Sequence, residues 1–101
     1  MTKKIDEIIA SRNLECDLDN GRHLIIRIGK PTQFEDSEDY YVLYQITGVG
    51  DEKTKFVGGV DGVQCLQLVM KGIAADLWRI NNTLGWKLRW NGEAGSLGFP
   101  D

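Results

Sequence analysis

The feature that most constrains the fold is a helix start signal at residues 60–65, in the run Val-Asp-Gly-Val-Gln-Cys. Asp61 can accept hydrogen bonds from the free backbone N–H groups of a first helical turn, and Gln64, three residues later, can bond back to the cap. Thr83-Leu84-Gly85 is a suitable end signal. Together these signals predict one helix over residues 61–82, with Asp61 as its cap and a length of about 30 Å.

Segments in which polar and apolar residues alternate, or in which aromatic and branched residues are frequent, lie on both sides of this helix and predict β-strands. They cover residues 10–18, 22–30, 40–47 and 53–57 before the helix and 86–90 after it. Asn20-Gly21 predicts a hairpin between the first two strands, and no connection among the first four is long enough for a crossover helix. We therefore expect an α+β fold: an antiparallel meander sheet of four to five strands with one long α-helix packed across one face.

The composition sets limits on the class of protein. With 101 residues the chain can form one hydrophobic core, so we expect a single domain over residues 1–101 with a loose start at residues 1–7. No apolar run reaches the roughly 18 residues of a membrane span and no signal peptide is evident, so we expect a cytoplasmic protein that binds no membrane. The net charge of -3 argues against a nucleic-acid partner. Two cysteines and one histidine are too few for a typical metal site, and we expect no cofactor.

Two apolar stripes run along the predicted helix. The first is expected to pack on the sheet and consists of Val63, Leu66, Met70, Ile73, Ala74 and Leu77. The second has spacings of three and four residues and consists of Cys65, Leu68, Gly72, Ala75 and Arg79. Because a helix that is apolar nearly all round is usually covered on both sides, we interpret the second stripe as a binding face for a partner protein or for a second copy of the chain.

Residues 31–39 form an acidic segment that is expected to be a solvated loop. Its carboxylates are Glu35, Asp36, Glu38 and Asp39, and they lack the alternating ligands and the central glycine of a calcium loop. An acidic loop of this kind can also bind a partner protein, so both interpretations stay open.

Three positions could carry chemistry, but each also has a structural explanation. Cys65 lies in the first helical turn, where the dipole favours a reactive thiolate, or it is a small packed residue. His23 faces outward on a strand without an evident nucleophile and orienting carboxylate. The glycines before Asp61 resemble an anion-binding loop, but no lysine follows and Asp61 would occupy the place of the anion. We therefore expect no catalytic residues and no enzyme.

The aromatic residues support an alternative to the protein-binding interpretation. A groove near Trp86 and Trp90, with His23 or Asp61 contributing, would make the chain a small-ligand-binding or enzymatic domain. The leading expectation is a non-catalytic protein–protein interaction module that self-associates or caps a partner protein, as immunity proteins do.

Several short motifs together resemble a known family. They are Ile28-Gly29-Lys30-Pro31, Tyr44-Gln45-Ile46, the block Gly58-Gly59-Val60-Asp61-x-Val63-Gln64-x-Leu66 and the terminal Leu97-Gly98-Phe99-Pro100. Over roughly residues 9–100 the chain resembles a family of small uncharacterised bacterial proteins, the DUF6968 type. This resemblance implies a short bacterial protein with no assigned activity, cofactor or catalytic residue.

Overall fold

A computed structural model describes residues 4–17, 21–48 and 52–100. These residues form a sheet and a helix, with β1 at Ile8–Cys16, β2 at His23–Gly29, β3 at Thr32–Gln33, β4 at Tyr40–Thr47, β5 at Thr54–Gly59, α1 at Gly62–Thr83 and β6 at Leu88–Arg89. Asn20 of the predicted hairpin turn and residues 1–3 of the expected loose start lie outside the described residues.

The order of the strands confirms the predicted antiparallel meander. Strands β1, β2, β4 and β5 pair in succession, and β6 pairs with the other edge of β1. Strand β3 pairs with Tyr40 and Tyr41 of β4, and β5 pairs with the same two residues, so β2 and β3 share one edge of β4. Pro31 separates β2 from β3 because proline has no N–H to donate to the ladder.

Alternation along the strands places one set of side chains beneath the helix. The buried apolar residues of the sheet are Leu14, Cys16, Leu24, Ile26, Ile28, Val42, Tyr44, Ile46 and Leu88, and those of α1 are Cys65, Val69, Ile73 and Leu77. The helix lies mainly over β4 and β5. The α+β class and the helix packed across one face of the sheet are therefore confirmed.

The start of α1 has the predicted Asp61 cap, but the Gln64 side chain bonds to Val60, one residue before the cap residue that was expected. The Asp61 side chain accepts a hydrogen bond from the Gln64 backbone N–H at 2.8 Å, and the Gln64 side chain accepts one from the Val60 N–H at 2.8 Å. A Cβ atom on Gly59 would lie 3.0 Å from the Cys65 nitrogen, so the chain turns closely from β5 into the helix. This geometry favours the strand-to-helix turn over an anion-binding loop, since Asp61 already occupies the first turn.

The face that α1 turns to the sheet differs from the predicted one. Val63 was expected to pack on the sheet, yet it is 66% exposed, whereas Cys65 and Val69 are completely buried. Gly72 also faces the sheet, because a Cβ atom there would lie 3.8 Å from the Tyr44 hydroxyl oxygen. The helix is rotated so that two small residues, Cys65 and Gly72, allow it to approach the strands closely. Apolar character alone did not reveal this rotation, because both stripes are apolar and the polar residue Asp76 is buried beside them.

The terminal motif at residues 97–100 contacts the sheet through the side chain of Arg12. The Arg12 guanidinium lies 4.1 Å from the centre of the Trp90 ring and 4.8 Å from that of Phe99, and it donates a hydrogen bond to the Leu97 carbonyl at 3.1 Å. Gly98 has φ 83, and a Cβ atom there would lie 2.6 Å from the Trp90 ring. The terminal motif therefore needs its glycine both for its backbone conformation and for space.

The strand predicted at residues 86–90 is reduced to Leu88–Arg89. Trp86 has φ 63, a left-handed conformation that a strand residue does not adopt. Among the described residues, no helix combines the length and apolar character that crossing a membrane requires.

Candidate functional site

A pocket of about 220 Å³ lies between the C-terminal half of α1 and strands β4 and β5. Its polar lining consists of Tyr44, Lys53, Lys55, Asp76, Arg79 and Thr83, and its apolar lining of Ile46, Ile80 and Leu84. Tyr44 and Lys55 are direct partners in the register of β4 and β5, so their side chains share the helix-facing side of the sheet. Asp76, Ile80 and Thr83 follow one another at spacings of four and three along α1, which places them on one side of the helix.

The centre of the pocket is a buried carboxylate with three donors. Tyr44 Oη donates to Asp76 Oδ2 at 2.8 Å, and Lys55 Nζ donates to the same oxygen at 3.1 Å. Arg79 Nη2 donates to Asp76 Oδ1 at 2.5 Å. A buried charge is tolerated when its oxygens are paired in this way, so the network allows Asp76 to face the sheet.

Tyr44 is buried together with Asp76 and stays protonated. Burial is the largest cause that raises the pKa of its phenol far above the ordinary value of 10.0, followed by the hydrogen bond to Asp76 and the charge of that carboxylate. Deprotonation would place two negative charges side by side in a poorly hydrated space. Tyr44 is therefore a hydrogen-bond donor to Asp76 and is unsuited to act as a base at neutral pH.

The pocket has more positive than negative charge. Lys53, Lys55 and Arg79 line it together with one carboxylate, Asp76, which leaves a formal surplus of two positive charges in a chain whose net charge is -3. A lysine ammonium has three N–H donors and an arginine guanidinium has five, so one bond from Lys55 and one from Arg79 to Asp76 leave donors available on both. Beside these donors lies the apolar lining formed by Ile46, Ile80 and Leu84. This arrangement can hold an anionic group attached to an apolar body.

Comparison with known proteins identifies the family. A family model described as "Domain of unknown function (DUF6968)" matches residues 10–101, which is most of the chain. The chain belongs to this family. The resemblance that the motifs indicated is thereby confirmed, and the family description names no activity. No curated protein and no solved structure matches the chain.

The partner-binding stripe predicted on α1 of this DUF6968 domain is divided between two sides of the helix. Cys65 is completely buried, and Gly72 faces β4 and β5, so neither lies on the outer face and the expectation for these two residues is corrected. Small residues allow close packing either against a partner protein, as predicted, or between the helix and the sheet, as in the structure. Leu68, Ala75 and Arg79 are exposed, and their role in partner binding stays a prediction.

The thiol of Cys65 lacks the environment of a reactive cysteine. Burial is the main cause that raises its pKa, and the nearby charge of Asp61 raises it further. Both effects oppose the thiolate that the helix dipole would favour. The DUF6968 chain uses Cys65 as a small core residue beneath the first turn of α1.

The acidic loop of this DUF6968 domain is on the surface, as a solvated loop should be. Its four carboxylate residues, Glu35, Asp36, Glu38 and Asp39, are exposed. The loop is closed by a backbone hydrogen bond from the Phe34 N–H to the Asp39 carbonyl at 3.0 Å. Across residues 4–17, 21–48 and 52–100, no group of three His, Cys, Asp or Glu side chains is arranged to hold a metal ion.

The groove expected near Trp86 and Trp90 has a different composition. A groove of about 640 Å³ is lined by Trp78 and Trp86 together with the C-terminal segment, and Trp90 lies under Arg12 instead. The two indole rings of the groove meet edge to face at 5.7 Å. His23 lies on the sheet face away from the helix, paired with Glu15, and Asp61 caps the far end of α1. The expected combination of these residues with the tryptophans is therefore wrong, because the fold separates them.

Sequence reasoning missed the pocket because its residues come from three separate segments. The one local signal was Asp76, a carboxylate three residues after Ile73 on the buried side of α1, where Asn81 is the other polar residue. Such a residue predicts a buried carboxylate with partners. It does not identify Tyr44 or Lys55, which lie on strands 32 and 21 positions away.

Proposed function

We propose that this DUF6968 domain binds a small organic anion, without chemical turnover, in the pocket between α1, β4 and β5. The observation that carries the proposal is a pocket lined by three cations, of which Lys55 and Arg79 pair with the single buried carboxylate Asp76 and Lys53 does not. Together these side chains give the pocket a surplus of two positive charges, which an anionic ligand would compensate.

The role of Asp76 in this proposal is to position cations. It contacts Lys55 from β5 and Arg79 from the next turn of α1, and so it orients two charges from different elements toward one space. Their side chains remain 44% and 65% exposed, so both can reach a ligand while they are still paired. The apolar residues Ile46, Ile80 and Leu84 would contact the uncharged part of that ligand.

Titration of the labelled protein with small anions, followed by amide NMR, tests the proposal. Acetate, butanoate and inorganic phosphate are the probes, and saturable shifts are expected at β5 and at residues 76–84. Arg79→Gln should weaken binding by at least ~10-fold, because charge-assisted hydrogen bonds are the strongest polar contacts available to the anion. Added salt should weaken binding as well.

The control is Lys71→Gln, which makes the same change of charge on an exposed residue of α1 outside the pocket. Its affinity for the probes should equal that of the wild type. If no probe gives saturable shifts, or if Lys71→Gln weakens binding as much as Arg79→Gln does, the proposal is wrong.

A second candidate function is self-association through the exposed side of α1. Leu68, Ala75 and Trp78 follow one another at spacings of seven and three residues and share one face, where Leu68 is 39% and Trp78 63% exposed. Such residues are typical of the centre of a protein interface. If the partner is instead a different protein, this face and the acidic loop that contains Glu35, Asp36, Glu38 and Asp39 would supply the contacts.

Light scattering during size-exclusion chromatography tests the second candidate. The wild type should elute with the mass of a dimer, and Leu68→Glu should be monomeric with unchanged circular dichroism. Ser11→Glu, on the sheet face away from the helix, is the control and should remain dimeric. A monomeric wild type would exclude self-association.

A further inference from the structure

We infer that the ligand of the pocket is a small phosphate monoester, held by its dianionic phosphate group. This inference rests on the proposed anion-binding function and specifies its ligand class. It is argued from the charge of the pocket, from the number of donors that remain after Asp76 is satisfied, and from the apolar surface beside them.

The charge of the pocket matches a dianion better than a monoanion. Three cations and one carboxylate leave two positive charges, while a carboxylate ligand would bring one negative charge and a phosphate monoester close to two. A bound carboxylate would compensate only one of these two positive charges. A phosphate dianion balances both.

The donors also exceed what a carboxylate can use. After the bonds to Asp76, two N–H groups remain on Lys55 and four on Arg79, and Lys53 adds three, while no carboxylate within the described residues pairs with Lys53. These donors come from β5, from the residues just before it and from α1, so they approach the pocket from different directions. Three terminal phosphate oxygens can accept from all three cations, whereas a carboxylate has two oxygens in one plane.

The apolar lining limits the rest of the ligand. Ile46, Ile80 and Leu84 offer no polar group to a sugar or a second phosphate, and the pocket holds about 220 Å³. These features fit a phosphate group with a small apolar or aromatic body. They do not fit a nucleotide.

Isothermal titration with two matched probes, phenyl phosphate and benzoate, tests the inference. Phenyl phosphate should bind at least ~10-fold more tightly than benzoate at pH 7.5, and Lys53→Gln and Arg79→Gln should each reduce that preference. Lys71→Gln, outside the pocket, should preserve it.

The pH dependence gives an independent readout. The second pKa of a phosphate monoester lies near 6, so lowering the pH from 7.5 to 5.0 should weaken phenyl phosphate binding by about 10-fold. A carboxylic acid with an ordinary pKa near 4 stays mostly ionised at pH 5.0, so benzoate binding should change little. The titratable groups that face the ligand are Tyr44 from β4, Lys53 and Lys55 at β5, and Asp76 and Arg79 from α1. None is a histidine.

The outcomes separate the two proposals. If neither probe binds, the anion-binding function itself fails. If benzoate binds as tightly as phenyl phosphate, or if both probes weaken equally at pH 5.0, anion binding stands and the phosphate assignment is wrong. If a phosphoserine peptide or vesicles that contain phosphatidic acid bind more tightly than phenyl phosphate, the assignment to a small molecule is wrong.

Discussion

Replacing Tyr44 with phenylalanine removes one oxygen atom from the core and keeps the ring. That oxygen donates a hydrogen bond to Asp76 Oδ2 at 2.8 Å. Among the described residues, Tyr44 is the one buried side chain that donates to this carboxylate. Asp76 retains Lys55 and Arg79, but these partners are largely hydrated and their ion pairs contribute little to folding. The variant therefore tests how much the buried bond alone stabilises the helix on the sheet.

The magnitude follows from the type of bond. Hydrogen bonds to charged groups contribute about 1.5–3 kcal/mol, so Tyr44→Phe should lower the free energy of unfolding by about 2 kcal/mol at pH 7. For a domain of this size the midpoint of thermal unfolding should fall by about 10 °C. Tyr40→Phe, on the same strand and without a bond to Asp76, should lose about 0.5 kcal/mol or less.

The loss of stability in Tyr44→Phe should also depend on pH, and the raised pKa of Tyr44 determines whether it grows or shrinks as the pH rises. The folded-state pKa of the phenol lies above its unfolded value of 10.0, so above pH 10 the unfolded chain releases a proton that the folded chain keeps. The stability that Tyr44 contributes is thus complete below pH 10 and decreases as the pH rises further. The difference between wild type and Tyr44→Phe should therefore shrink by about 1.4 kcal/mol between pH 7 and pH 11.

Urea unfolding followed by tryptophan fluorescence, at pH 7, 9, 10.5 and 11, measures both effects. Comparison with Tyr44→Phe at each pH cancels the titration of the other tyrosines and of the lysines. A variant as stable as wild type at pH 7, or a difference that is the same at pH 7 and 11, would refute the assignment of Tyr44 as the buried donor to Asp76.

Three further variants test the rest of the structure by chemical denaturation. Gly98→Ala should lower the free energy of unfolding by about 2–3 kcal/mol, because it adds steric overlap to an unfavourable φ. Gly92→Ala, with φ 79 and open space around it, should lower it by about 1 kcal/mol. Equal losses would contradict the packing at residue 98. Val69→Ala should cost about 2 kcal/mol and Val63→Ala less than about 0.5 kcal/mol, and the reverse order would place the wrong helix face on the sheet. Asp61→Ala should cost about 1 kcal/mol through loss of the cap, while Asp61→Asn should keep most of that stability; a neutral Asp61→Ala would show that the cap contributes nothing.

Local signals predicted the elements of this fold well. The helix start at Asp61 depends on hydrogen bonds between residues three and four positions apart, and these can be read directly from the sequence. Strand β4 has the predicted bounds, Tyr40–Thr47, because aromatic and branched residues, which favour strands, fill this segment. The strand after the helix was predicted too long, since nothing local indicated that Trp86 takes a left-handed conformation.

The candidate site was less accessible to sequence reasoning. Arg79 was singled out as a partner-binding residue, and its exposure agrees with an interface, but its contact with Asp76 makes it part of a pocket. Cys65 and Gly72 were predicted to lie at a partner interface, but they pack against the sheet. The size of a residue does not indicate which neighbouring element it contacts. For all three residues, the sequence did not show which residue of the sheet or the helix lies opposite.

Capping and alternation act between neighbours along the chain, so the type and order of α1 and of every strand except β3, which lies in a segment predicted as a loop, follow from the sequence. The connections before the helix are too short for a crossover helix, and this favours the antiparallel meander. The tertiary structure decided which face of α1 is buried, where the pocket lies and how the C-terminal segment is held. These features depend on pairs such as Tyr44 with Asp76 and Arg12 with Leu97, which are 32 and 85 positions apart, and their energies arise only when folding brings the partners together and excludes water.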